Sequence, residues 1–155
     1  MTVKTVYPHT ISQSSGSNIQ SFNNLSNLKN SNATYAKTGQ IASKSGTRKK
    51  PASITAKNFK ANIPSGSKIN KVTVEYAADY EGNITIGKPT INILNIKGDN
   101  KNGKALTKTL TKTSVSWSGD HTIANMNSSD FGVTISFPAN TKADVGYVKL
   151  KYIDF

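Results

Sequence analysis

Apolar residues recur at every second position in several stretches of the chain: Val72, Val74 and Tyr76, then Val133, Ile135 and Phe137, then Val148, Leu150 and Tyr152. A period of two sends successive side chains to opposite faces of a strand, so each run predicts a strand with one buried and one wetted face. The clearest punctuation is Ile63-Pro64-Ser65-Gly66. Proline presets φ and glycine supplies the positive φ that tight reversals use. The pattern therefore predicts a strand over residues 53–63, a reversal, and a second strand over residues 68–78, forming the central pair of the fold.

The remaining stretches extend the same reading. Residues 2–11 predict a first short strand, ended or bent at Tyr7-Pro8 because proline donates nothing to a ladder. Residues 12–32 form a polar tract in which Ile19, Phe22, Leu25 and Leu28 are spaced by three, read as a loop pinned by apolar anchors. A second strand is expected over residues 33–42, carrying Tyr35 and Ile41, followed by a loop over residues 43–51. Glu81-Gly82-Asn83 marks a turn before residues 84–86. Residues 90–97, with Ile91, Ile93, Leu94 and Ile96, are the most apolar strand and are expected to lie centrally. Residues 98–104 read as a hairpin loop, and residues 105–113 as an edge strand protected by lysines. A short helical turn is expected within residues 122–130. About eight to ten strands without an amphipathic helix predict an all-β fold: a single antiparallel β-sandwich, jelly-roll-like or immunoglobulin-like, spanning residues 1–155 as one domain.

Composition narrows the chemistry. The chain of 155 residues has no cysteine, which removes disulfides, thiolate metal sites and thiol nucleophiles. Its net charge of +12 comes from nineteen lysines and the single arginine Arg48. Lysine is a hydrated point charge, whereas reading of bases favours the bidentate arginine fork, so sequence-specific nucleic-acid binding is disfavoured. Attraction to an anionic surface, or plain solvation of faces and edges, fits better. No apolar run approaches a membrane span, and the first residues lack the apolar core of a secretory signal, so membrane insertion is not expected.

Four segments, in order, resemble a known module: Asn32-Ala-Thr-Tyr-Ala36, the stretch from Lys57 through Ile63-Pro64-Ser65-Gly66 to Glu75, Asn127-Ser-Ser-Asp-Phe-Gly-Val-Thr-Ile135, and Val145-Gly-Tyr-Val-Lys-Leu-Lys-Tyr152. They are similar to the β-sandwich module of structural proteins in tailed phages and prophages, where an Ile-Pro-Ser-Gly strand end precedes a late Asn-x-Ser-x-Phe-Gly-Val segment and a final alternating strand. The resemblance covers roughly residues 24–152. It implies a virion protein of the tail, baseplate, fibre or capsid surface, in contact with other virion proteins and with copies of itself, assembled in the host cytoplasm and released by lysis. It carries over no catalytic residue and no cofactor. The polar segment 12–32 is then a candidate for ordering against a neighbouring subunit.

Candidate sites are few. His9 and His121 are the only histidines and build no nucleophile–base pattern. Asp79 and Glu81, two apart, could face the same way at a strand end, as a carboxylate pair or, with Asn83 nearby, a weak cation site would need, with a solvated turn as the plainer reading. Residues 99–103 look like a calcium loop, but Lys101 occupies a ligand position and no acid closes it. The sequons at Asn24, Asn32, Asn83 and Asn127 are expected by chance in an Asn- and Ser-rich chain. Arg48, Lys49, Lys50, Lys101 and Lys104 are loop charges able to grip an acidic neighbour or a polyanionic cell-surface polysaccharide. Trp117, Tyr76 and Tyr80, with Tyr35, are candidates for stacking on sugar rings, against a core placement for Trp117. The expected function is a non-enzymatic virion protein; a carbohydrate-binding or host-adhesion module is the alternative, and nucleic-acid binding without sequence preference a third reading.

Overall fold

The computed structural model describes residues 2–31, 34–44, 47–142 and 144–155, with the backbone alone described at residues 43, 44, 47 and 48. Its strands in chain order are Thr10–Gln13 (β1), Ile19–Gln20 (β2), Phe22–Asn23 (β3), Ala36–Thr38 (β4), Ser43–Lys44 (β5), Thr47–Arg48 (β6), Lys50–Pro51 (β7), Ile54–Lys57 (β8), Ile69–Gly82 (β9), Thr90–Leu94 (β10), Lys101–Asn102 (β11), Thr111–His121 (β12), Gly132–Ser136 (β13) and Gly146–Asp154 (β14). A 3₁₀ turn spans Leu25–Lys29 and a short helix, α1, spans Ile123–Asn127. Thr122 caps α1, its hydroxyl accepting from the Asn125 amide.

Ten of these strands form two five-stranded sheets, ordered β1-β8-β13-β10-β11 and β12-β9-β14-β4-β3, and every pairing within them is antiparallel. Ile54, Ile91, Val133 and Ile135 from the first sheet meet Val72, Val74, Val148 and Leu150 from the second in one buried cluster. Alternation places these residues inward and their lysine, serine and threonine neighbours outward, and packing the two apolar faces together gives an antiparallel β-sandwich.

The central pair is a correction. β8 and β9 do not pair: β8 lies between β1 and β13, and β9 between β12 and β14. The chain instead crosses from one sheet to the other over residues 58–68. Asn58, Lys60 and Asn62 all adopt left-handed backbone, at φ 56°, 48° and 48°, and Gly66 follows at 82°. Alternating left-handed residues break any ladder, so the first strand stops at Lys57 rather than Ile63. Phe59 and Ala61 still face the core from this crossover.

Other boundaries shift for similarly local reasons. The first strand begins at Thr10, after Pro8 rather than before it, while Val6 pairs separately with Phe155 through two backbone bonds of 2.8 and 3.0 Å. The tract over residues 12–32 is pinned as its spacing implies: Phe22 and Leu28 are buried in this chain's own core, so the segment has a docking place within the molecule. Strand β10 is interior, paired with β13 on one side and the two-residue β11 on the other. The expected edge strand starts at Thr111, not residue 105, and runs on through Trp117. A bulge between Leu150 and Ile153 moves the buried position from Tyr152 to Ile153.

Candidate functional site

The outward face of the β12-β9-β14-β4-β3 sheet gathers the charged side chains that strand alternation excludes from the core. Register sets the neighbours: Lys149 lies directly opposite Lys37 on one side and Asp79 on the other, and Tyr147 lies opposite Glu81. Directly opposed side chains on one sheet face sit about 5 Å apart, close enough to pair. Lys37 Nζ donates to Glu81 Oε2 at 2.7 Å, and Lys149 Nζ reaches Glu81 Oε1 at 3.2 Å and Asp79 Oδ2 at 3.4 Å. Each lysine also covers a tyrosine ring, Lys37 over Tyr147 at 4.6 Å and Lys149 over Tyr35 at 5.0 Å.

Beside this network Tyr35, Asp79, Leu110, Lys149 and Lys151 line a shallow hollow of about 240 Å³. Two of its walls are apolar and open, since Tyr35 is 43% and Leu110 44% exposed. Asp79 is different: it is only 6% exposed, and its Oδ1 has no hydrogen-bond partner. A buried polar atom left unpaired costs free energy, so it marks either strain or a place that a ligand completes.

Electrostatics agree with this geometry. Burial pushes the Asp79 carboxyl above its usual range, partly opposed by the Lys149 ammonium. Glu81 moves the other way, because hydrogen bonds from Lys37 and then Lys149 favour its charged form. Lys37 is raised by its bond to Glu81. Burial draws the Lys149 ammonium down, but its bonds and charge contacts with Glu81 and Asp79 prevail and it ends raised. The shifts thus favour the charged forms of Lys37, Lys149 and Glu81, and the neutral form of Asp79 alone.

Further along the same face Asp154 lies opposite Glu75, and Glu75 pairs with Lys112 at 3.0 Å and accepts from Ser114 at 3.3 Å. Burial, then the Glu75 charge, lift the Asp154 carboxyl to about 6. Among the described residues no cluster of three or more metal-ligating side chains occurs, and no helix is long and apolar enough to cross a membrane.

The structure separates the expected site residues. Trp117 is 4% and Tyr76 1% exposed, so neither offers a ring face to a sugar; this is the core placement weighed for Trp117, and it corrects the stacking role offered for Trp117 and Tyr76. The Trp117 indole is held inward by its bond to the Asp99 carbonyl at 2.9 Å, and Gly98 leaves room for the ring, since a Cβ there would collide with it. Burial pushes the Tyr76 phenol up to about 12. Tyr80 is half-buried against the core. Lys49 is half-buried and Lys50 exposed on the β7 side, whereas Lys101 on β11 lies 5.9 Å over the Trp117 ring and Lys104 is exposed beyond it. These cations belong to separate parts of the fold. The side chain of Arg48, and Asn32 with its sequon, lie outside the described residues.

Asp79, Glu81 and Tyr35 are visible in the sequence as a carboxylate pair and an aromatic. Lys37 and Lys149 are not, because lysines alternating with apolar residues read as solvated strand faces. Only the β4–β14–β9 register joins them.

No family model matches the chain, and no curated protein matches it. Among solved structures it is similar to the N-terminal cellulose-binding domain of Cellulomonas fimi β-1,4-glucanase C, at 10% identity and a TM-score of 0.36, over 78% of this chain and 77% of that one. A superposition this loose carries no argument about site or ligand.

Proposed function

We propose that this chain is a non-enzymatic attachment module whose outward β9–β14–β4 face takes a polyhydroxylated ligand of the carbohydrate class. The observation that carries the reading is the unpartnered, buried Oδ1 of Asp79 at the hollow between the exposed Tyr35 and Leu110. Apolar walls with a few fixed polar groups suit a sugar, whose ring faces pack on aromatics and whose hydroxyls donate to a waiting carboxylate. Lys149 and Lys151 supply donors for ring or carboxylate oxygens of the same ligand. A panel of soluble and insoluble cell-surface polysaccharides, read by glycan array and titration calorimetry, tests it. Asp79→Asn and Tyr35→Ala are each expected to weaken binding about tenfold. Absence of binding to every polysaccharide tried would remove the reading.

A second reading, compatible with the first, places the module on a virus particle as a tail, baseplate or capsid-surface component. It is favoured by the four segments resembling phage structural proteins, two of which the fold ties together: Asn127 bonds both backbone groups of Ile63. Quantitative mass spectrometry of purified particles from the source would give its copy number, and absence from them would end that reading.

A further inference from the structure

We propose that two copies of this chain associate by antiparallel pairing of strand β12 with β12, about an axis through Ser116. The proposal is independent of the carbohydrate reading.

Each five-stranded sheet has two edges, and three of the four are short: β1 has four residues, and β3 and β11 two each. The fourth, β12, runs for eleven residues and pairs only with β9. Among the described residues no backbone group of β12 bonds to any other segment, so its outer row of N–H and C=O groups faces solvent. The His121 ring lies 3.2 Å from the Trp117 carbonyl, a contact within β12 itself. Natural edges of this length are normally blunted by proline, repeated lysine or a mid-strand bulge. Here the centre, Thr113–Trp117, contains no charge and no proline, and the bulge falls only after Ser118.

The occupant is argued from the charges. The carboxylate and ammonium groups of β12 are Lys112 and Asp120, each four residues from Ser116. In an antiparallel pair centred on Ser116, Ser114 comes opposite Ser118 and Ser116 opposite itself, while the two-fold brings Lys112 of each copy to the strand end that carries Asp120 of the other, displaced from direct opposition by the bulge after Ser118. Both charged side chains are free enough to reach across, Lys112 being 57% and Asp120 87% exposed despite their ion pairs with Glu75 and Lys68. The same register sets Val115, half-buried in the single chain, opposite Trp117 of the second copy. Such an interface repeats one surface on both sides, as a two-fold dimer requires, and extends a five-stranded sheet to ten strands.

Sedimentation at about 5 to 200 µM tests it, since an edge-strand interface of this size is expected to hold only at micromolar affinity or weaker. The mass should rise from 16.6 kDa toward twice that value. Ser116→Lys, which sets two ammonium groups face to face, should abolish the rise, with folding checked by its melting transition. Asp120→Lys at an exposed position should weaken dimerisation at least tenfold and serves if the first variant does not fold. Because the chain has no cysteine, Ser116→Cys gives a second readout. Opposed residues of an antiparallel pair lie within disulfide reach, so mild oxidation should cross-link Ser116→Cys far faster than Ser65→Cys in the exposed turn. A wild-type chain that stays monomeric at 200 µM, a dimer indifferent to both charge variants, or equal cross-linking of the two cysteine variants would overturn the proposal.

Discussion

Asn127 grips both backbone groups of Ile63, its Oδ1 accepting from the Ile63 amide at 2.8 Å and its Nδ2 donating to the Ile63 carbonyl at 3.0 Å. The two residues are far apart in sequence, one in the crossover between sheets and the other at the end of α1. A side-chain amide carries an acceptor and a donor side by side, which lets one residue pair with both backbone groups of another. The clasp closes the crossover after its run of left-handed residues. Asn127→Ala is expected to lower stability by about 1 kcal/mol, since the bonds are exposed and water replaces part of them. Asn127→Asp keeps the acceptor but sets a carboxylate oxygen against the Ile63 carbonyl, so it should cost at least as much as Asn127→Ala; urea unfolding of the three proteins checks the order.

Three phenyl rings close the same end of the sandwich. Phe131 lies 4.5 Å from Phe155 and 5.9 Å from Phe59, while Phe59 and Phe155 meet edge to face at 4.7 Å. They join the crossover, the start of β13 and the C-terminus. Phe131 is fully buried, so Phe131→Ala should lose about 3–5 kcal/mol, whereas the half-buried Phe155→Ala should lose about half as much. Denaturant melts of both variants would show it; equal losses would mean that the terminal ring is as confined as the central one.

Two glycines separate space from backbone conformation. At Gly132 a Cβ would collide with the Ala56 backbone oxygen across the β13–β8 ladder, a neighbour that cannot turn aside. At Gly66 a Cβ would meet nothing within 4 Å, but φ is +82°. Gly66→Ala should therefore cost about 1 kcal/mol from left-handed strain alone, and Gly132→Ala at least about 2 kcal/mol through displacement of a ladder. Thermal melts of the pair measure the difference.

These residues also show what is legible in the sequence. Period-two runs at 72–76, 133–137 and 148–150 name core positions correctly, because the alternation is itself the burial pattern. The Pro64-Ser65-Gly66 turn is also visible, but not where it leads. Asn58 and Asn62 are residue types that tolerate left-handed backbone, whereas Lys60 carries no such signal, so the crossover reads as the end of a strand. For Trp117 the sequence leaves stacking and core placement both in view, because only the fold brings Gly98 and the Asp99 carbonyl against it. The candidate site is half legible for a related reason. Asp79 and Glu81 are near in sequence, but their partners Lys37 and Lys149 arrive by strand register across the sheet.

Asp154 makes stability depend on pH in a direction opposite to that of a salt-bridged acid. Its carboxyl rises from 3.8 to about 6 on folding, through burial first and the facing Glu75 charge second. The folded state then binds the extra proton, so its stabilising effect is full below about pH 4 and is lost as pH rises through about 6. Glu81, lowered by Lys37 and Lys149, works the other way, its stabilisation lost on acidification. In Asp154→Asn the first slope disappears while the second remains. The variant should be more stable than the parent at pH 7 by about 1–2 kcal/mol and nearly equal to it at about pH 4. Urea melts across that range test it, and an unchanged difference at both ends would show that Asp154 is not the titrating group.

Asp79 offers the sharpest separation of function from stability. Its Oδ1 is buried without a partner, and burial already raises its carboxyl, so the free protein holds this acid at some cost in stability. Replacing it by asparagine removes the buried charge but keeps the shape. Lys149 loses one of its two acid partners yet keeps Glu81 at 3.2 Å, which limits the damage. Asp79→Asn is therefore expected to melt within about 1 kcal/mol of the parent at pH 7. The same substitution should weaken carbohydrate binding about tenfold, because an amide presents a poorer acceptor to a sugar hydroxyl than a carboxylate does. Natural sites that sacrifice local satisfaction for a ligand show this combination of neutral stability and lost affinity. Melting temperature and titration calorimetry on the same preparation decide it: a large loss of stability would make Asp79 a structural member of the lysine network instead.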